Sequence, residues 1–257
     1  MSLLSEALQQ VIRRHPVLLS VYRQDEDNEV HQLVGDNEIV IQSQSCQSED
    51  DLYPCVHEHI HLPFDLATEP AMRIYHYQVK SGTDTGEYLL LLWHHIVMDG
   101  WSLDVFINEL GEAYSALKTG RAAELPSLSI TYGDYALWQR AYLAGEAGKT
   151  QLDYWQHQLS GYETLTLPTD FERPARVDYR GGEYAFALNE DLSAQLRALA
   201  KDKGTTLYTV GLAALYVMLG KFSGQKDIVV GTPSDNRHHA QTQSPVSYTH
   251  LRAHETV

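Results

Sequence analysis

The sequence predicts an α/β fold of the α+β type, a two-layer sandwich of helices on a sheet, on three observations. The run Tyr88 to Trp93 is apolar at every position, as expected of a strand covered on both faces and set deep in a sheet. Beyond a short polar turn, Phe106, Ile107, Leu110, Tyr114 and Leu117 recur at helical spacing, so an amphipathic helix follows that strand directly. Elsewhere, short strand-like runs bounded by Asp- and Asn-rich turns are interleaved with longer helical patterns.

In chain order, Leu3 to Arg13 reads as a helix with Leu3, Leu4, Ala7, Val11 and Ile12 on one side. Short strands are expected at Val17 to Tyr22, Val30 to Val34, Glu38 to Ile41 and Met72 to Val79. Gly120 ends the central helix, and a connection over Glu124 to Ser129 leads to a helix whose wide aromatic face carries Tyr132, Tyr135, Ala136, Trp138, Gln139, Tyr142 and Leu143. Core packing is the expected role of that face, and Asp134 is expected to cap or anchor. A further helix spans Lys149 to Leu159, and Pro168 to Gly182 reads as a linker. The remainder reads as strand Glu183 to Leu188, helix Leu192 to Lys203, helix Leu207 to Phe222 and strand Asp227 to Val230. Thr205 or Thr206 can cap the second of those helices, which is apolar almost all round and therefore expected inside.

Composition excludes some classes of function. A formal net charge of −15 gives no basic footprint for nucleic acid or an anionic membrane. No segment reaches the roughly 18 apolar residues of a membrane span, and the start lacks the pattern of a secretory signal, so a cytoplasmic location is expected. Cys46 and Cys55 lack C-x-x-C spacing and read as reduced structural thiols. His57, Glu58 and His61 spell H-E-x-x-H, a zinc-hydrolase pattern. Pro54 and Pro63, however, leave room for about two helical turns, and no third ligand follows. A polar surface helix is expected there, and no metal.

The chemistry is concentrated in the turn between the central strand and helix, where His94, His95, Asp99 and Gly100 stand together. Histidine moves protons near neutral pH, and a carboxylate can orient or charge-compensate the loop that carries it. Because successive strand side chains face opposite ways, the two imidazoles should differ in surroundings and role. Gly100 permits a backbone conformation other residues resist, and Ser102 can cap the helix.

The string HHIVMDG, residues 94 to 100, matches the HHxxxDG signature of the condensation domains of nonribosomal peptide synthetases, relatives of the chloramphenicol acetyltransferase fold. Tyr132, Asp134, Tyr135, Ala136 and Trp138 resemble the family's Y-x-D-Y-A-x-W box. RHPVLL from Arg14 is similar to the RH-x-x-LR box, with Leu19 where the family usually has arginine. LPTDFERPARVDYRGG from Leu167 resembles the segment that joins the family's two lobes, and Gly204 to Arg237 resembles the opening of the second. The resemblance implies a chloramphenicol acetyltransferase-like lobe over 1–166, a linker over 167–182 and the start of a second similar lobe over 183–245. In the family the helix at Leu3 follows a strand, so the start codon is expected to be internal to a longer frame. Residues 246–257, containing VSYTHLRAHET, resemble the translation of a sequencing adapter and are expected to be non-native. His250 and His254 there are not expected to be ligands, and His238 and His239 are expected to be solvated.

The resemblance further implies amide formation between a donor acyl or peptidyl thioester and an acceptor aminoacyl thioester. Both ride on the phosphopantetheine arms of peptidyl or aminoacyl carrier proteins, with an adenylation domain in the same assembly line and no directly bound cofactor. His95 is the expected proton-handling or amine-orienting group, with His94 and Asp99 holding the loop and Gly100 letting the backbone approach the reacting centre. Arg237 is implied as the partner of Asp99, and Tyr132, Asp134 and Trp138 as structural support. Related members with the same motif epimerise a tethered residue or use coenzyme A, and an inert docking module for carrier proteins is the reading from another class.

Overall fold

The computed structural model describes residues 2–35, 37–81, 84–176, 181–232, 237, 240–242 and 245–246. The expectations for His238, His239, His250 and His254 lie outside them. Two compact units result, residues 1–149 with 232–257, and residues 150–231.

In the first unit, α1 (Ser2–Arg14) is followed by a 3-10 turn (Pro16–Leu19) and by β1 (Ser20–Gln24). The strand expected from Val17 therefore begins three residues later, because Pro16 sits in the first turn of a short helix, where its fixed φ and missing N–H cost nothing. β1 pairs antiparallel with β2 (Val30–Val34), and Ser20 stands opposite Val34. The strand expected over Glu38 to Ile41 is instead β3 (Ile41–Cys46), which joins β4 (Met72–Ser81) in parallel; β4 pairs antiparallel with β5 (Asp84–Trp93). The register places Met72 opposite Trp93.

The order β3-β4-β5 corrects the position expected for the apolar run, since among the described residues β5 is an edge strand and β4 lies at the centre. Alternation still serves both faces. Leu89, Leu91 and Trp93 join a core of Leu8, Val11, Ile12, Leu18, Ile74, Val97 and Phe106, while Leu90 and Leu92 pack with Cys46, Tyr75, Tyr77 and Val79. The first core is closed by α1 and by α3 (Gly100–Thr119), whose Phe106 is fully buried and meets Trp93 edge to face at 5.3 Å. Gly120, at φ +69°, ends α3 as expected.

The second core is covered by α2 (Glu49–His61), a longer helix than the two turns expected between the prolines. Pro54 lies inside it and removes one backbone bond. Ser48 accepts from the Asp51 N–H, and Glu49, Asp50 and Asp51 place three acids in the first turn; both features favour the helix N-terminus. No residue of α2 is buried. His57 and His61 stack with centroids 4.1 Å apart, and His61 Nδ1 lies 2.7 Å from the His57 carbonyl. Both cysteines are free thiols, and burial raises the pKa of Cys46, aided by a hydrogen bond with Cys55.

Glu109 ties α3 to the end of α1. Its carboxylate accepts from Arg14 Nε at 3.0 Å and lies 2.7 Å from His15 Nε2, with His15 buried. Val246, the first residue of the tail expected to be non-native, is also buried, and its N–H donates to His15 Nδ1 at 3.3 Å. The rest of that tail lies outside the described residues.

α4 (Tyr132–Ala144) follows in this unit, and α5 (Glu146–Gln158) leads into the second. There α6 (Glu190–Asp202) and α7 (Leu207–Ser223) are capped by Asn189 and Thr206, whose side chains accept from the N–H groups of Leu192 and Thr209. Gln225, just after α7, exchanges hydrogen bonds with Thr164 and Thr166. Two expectations fail here. Among the described residues, the segments expected as strands, Glu183 to Leu188 and Asp227 to Val230, carry no ladder; an extended segment is a strand only when a neighbour takes its backbone groups. α7 is not interior: Leu219 is its one buried residue, and Tyr208, Val217 and Phe222 are exposed. Its composition demands cover that the described residues do not supply. Among them, no single helix is long and apolar enough to cross a membrane.

Candidate functional site

The turn between β5 and α3 is held at both ends. At the strand end, the N–H of His94 donates to the Ala71 carbonyl at 2.9 Å, continuing the β4–β5 ladder one step beyond Met72 and Trp93. At the helix end, Asp99 is the N-cap of α3. Its Oδ1 accepts from the Ser102 N–H at 2.7 Å, so the cap is Asp99 and not Ser102. A carboxylate satisfies an orphan N–H and opposes the helix dipole at once, which a hydroxyl does only in part. Between the two ends, Val97 and Met98 turn inward and are buried, and the Val97 N–H donates to the His94 carbonyl at 3.1 Å.

The two histidines differ in exposure and in the use of Nδ1. His94 is half-buried, its ring edge-on to Phe64 with centroids 5.9 Å apart, and its Nδ1 accepts from the Ile96 N–H at 3.1 Å. In the neutral ring the proton then sits on Nε2. His95 is exposed, and its Nδ1 lies 2.6 Å from the Met98 carbonyl, an atom that can only accept. In the neutral ring the proton is therefore on Nδ1 and the lone pair on Nε2. When neutral, the two adjacent rings thus take opposite tautomers.

Gly100 is the first residue of α3, and its φ does not lie in the left-handed region, contrary to the expectation of a special backbone conformation. A Cβ added there would meet nothing within 4 Å. The position is open rather than strained.

Behind the turn, Asp99 is buried beside Arg237. Nη2 of Arg237 lies 3.2 Å from Oδ1 and 3.3 Å from Oδ2 of Asp99, and donates to Ser102 Oγ at 2.8 Å. Nη1 donates to the carbonyls of Thr242 and Pro245. Ser102, expected as a cap, serves instead as a buried acceptor for this guanidinium.

The aromatic helix borders the same segment. Thr131 and Asp134 form a reciprocal capping box, and the Thr131 N–H and hydroxyl bonds hold the Asp134 carboxyl below its usual pKa. Tyr132 packs against the first core, and burial raises its phenol. Trp138 is partly exposed and stacks on Tyr142 at 5.3 Å. With Ile130, Asp134, Tyr135, Gln241 and Thr242 it lines a cavity of about 260 Å³ next to the Arg237 anchor. Sequence reasoning misses Phe64, which falls in a loop before a strand. A phenylalanine inside an otherwise exposed Pro- and Asp-bearing loop is nevertheless a signal that something packs there.

The first unit is thus a mixed α/β fold with a histidine pair in the turn between a strand and a helix and a buried Asp–Arg pair behind it. The chain belongs to the condensation-domain family, whose model matches residues 1–246. It is 36% identical over 253 residues to a phosphinothricin tripeptide synthetase of Streptomyces viridochromogenes, covering 96% of this chain and 21% of that protein. Among solved structures it resembles the X-domain in its complex with OxyB from teicoplanin biosynthesis, with a TM-score of 0.83 at 27% identity, covering 97% of this chain and 55% of that one. The epimerization domain from the third module of tyrocidine synthetase B shares the fold, with a TM-score of 0.83 at 22% identity, over 97% of this chain and 58% of that one. The chain therefore spans little more than half of these solved domains and a small part of the synthetase.

Proposed function

We propose that this chain carries the amide-forming site of a nonribosomal peptide synthetase condensation domain. The acceptor amine attacks the carbonyl carbon of the donor thioester; a C–N bond forms, the C–S bond breaks, and the donor's phosphopantetheine thiol leaves. Both substrates would be delivered by carrier proteins on such arms, with loading by an adenylation domain. The observation that carries this reading is the exposed His95 ring with its Nδ1 committed to the Met98 carbonyl, which in the neutral ring leaves Nε2 as the basic nitrogen. An amine hydrogen-bonded to that nitrogen is oriented for attack and can surrender its proton there, a contribution of about 10² to 10⁴ in rate. His94 and Asp99 hold the turn, Arg237 neutralises Asp99, and the missing side chain at Gly100 leaves room for the thioester. Tyr132, Asp134 and Trp138 support the wall behind Arg237. No acyl-enzyme is required, because the amine attacks the thioester directly.

The test is incubation of the chain with donor- and acceptor-loaded carrier proteins. A new amide that disappears in His95→Ala, with carrier-protein binding retained, is the expected result. Exchange at the α-carbon without amide assigns epimerisation. Binding without either reaction assigns a docking role, a reading favoured by the likeness to an X-domain whose solved structure is a complex with another protein.

A further inference from the structure

We propose that Arg73 is a positioning residue for the histidine turn, acting through Phe64 on His94. The proposal rests on that turn being the reactive site. Arg73 is buried on the central strand β4, and its guanidinium gathers both ends of the segment from Leu62 to Glu69. Nη1 donates to the Leu62 carbonyl at 2.8 Å and Nη2 to the Pro63 carbonyl at 2.7 Å. Nε and Nη2 together grip the Glu69 carboxylate, at 2.9 and 2.5 Å. Between these ends, the guanidinium carbon stands 4.1 Å from the centroid of the Phe64 ring. Phe64 thus contacts both the Arg73 cation and the His94 imidazole.

That segment has no helix or strand of its own, and most of its residues are exposed. One planar fork therefore ties both of its ends to the central strand. The strand register supplies the alignment: Arg73 stands opposite Leu92, and two residues earlier the Ala71 carbonyl takes the His94 N–H. β4 and the residue just before it thus set both the backbone of His94 and the clamp beside its ring. The His94 ring must keep its plane for Nδ1 to accept from the Ile96 N–H, the first bond of the turn that presents His95. A lysine at position 73 keeps the charge but cannot hold two carbonyls, a bidentate carboxylate and a ring face at once.

The experiment is ¹⁵N-histidine NMR on the full chain and on Arg73→Lys, Phe64→Leu and Phe64→Tyr. The unsubstituted chain should show His94 in a single tautomer, with an acceptor-type Nδ1. Arg73→Lys and Phe64→Leu should lose that signature and give averaged ring-nitrogen shifts at His94, while Phe64→Tyr, which keeps the ring, should retain it. Far-UV circular dichroism monitors folding, and Phe64→Leu decides the matter if Arg73→Lys does not fold. A His94 signature unchanged in folded Phe64→Leu, or in folded Arg73→Lys, overturns the proposal. Amide formation is read separately. If the unsubstituted chain forms amide, kcat in Arg73→Lys should fall about 10²-fold with KM unchanged. If it forms none, the reactive-site reading fails, while the NMR result still decides the clamp.

Discussion

Asp99 and Arg237, 138 residues apart in sequence, meet at 3.2 Å in the interior of the first unit. Asp99 caps α3 and compensates a buried cation with the same carboxylate. Asp99→Asn keeps a side chain able to cap but leaves Arg237 charged and buried. It should destabilise the chain by about 3 kcal/mol in urea unfolding. Adding Arg237→Leu should recover part of that loss, and a fully additive double variant would mean the two residues act independently.

Glu109 is the second buried anchor, shared by Arg14 and His15. Glu109→Gln retains size and one acceptor but strands the Arg14 charge, so a loss of about 3 kcal/mol is expected by the same measurement. A change within about 0.5 kcal/mol would show that α1 and α3 are held by their apolar contact alone.

Acid should weaken the fold through groups outside the histidine turn. The Arg121 hydrogen bond holds Glu112 at about 2, and the Arg73 hydrogen bond lowers Glu69. A carboxyl with a depressed folded-state pKa contributes stability that is complete above its unfolded value, about 4.3, and is lost as pH falls through the folded value. Thermal midpoints should therefore decline between about pH 4 and 2, and Glu112→Gln should flatten that decline.

Gly120 and Gly100 should respond oppositely to alanine. Gly120 ends α3 at φ +69°, and Gly120→Ala should cost about 1 kcal/mol. Gly100→Ala adds a methyl group where nothing lies within 4 Å, inside a helix, and should not destabilise. Loss of amide formation in a fully stable Gly100→Ala would report on substrate approach alone.

The elements best read from sequence are those with local causes. The approximate span of α1, the Gly120 stop, the cap of α7 by one of two adjacent threonines and the capping role of Asp134 all depend on residues a few positions apart. Readings that fail depend on distant partners. YLLLLW at 88–93 has the composition of a central strand, yet among the described residues β5 stands at an edge, because position in a sheet belongs to its neighbours. α7 carries an interior composition that the described residues leave largely exposed, and Ser102 loses the cap to Asp99 while its hydroxyl accepts from a buried guanidinium.

Sequence by itself determined the family, the strand–turn–helix that carries His94, His95 and Asp99, and the periodicity of the flanking helices, since these depend on spacing along one stretch of chain. Only tertiary structure decided the tautomers of the two imidazoles and the grip of Arg73 on Phe64. A ring nitrogen donates or accepts according to the atom facing it, and that atom comes from a fold of the backbone, or from another element, that spacing does not reveal.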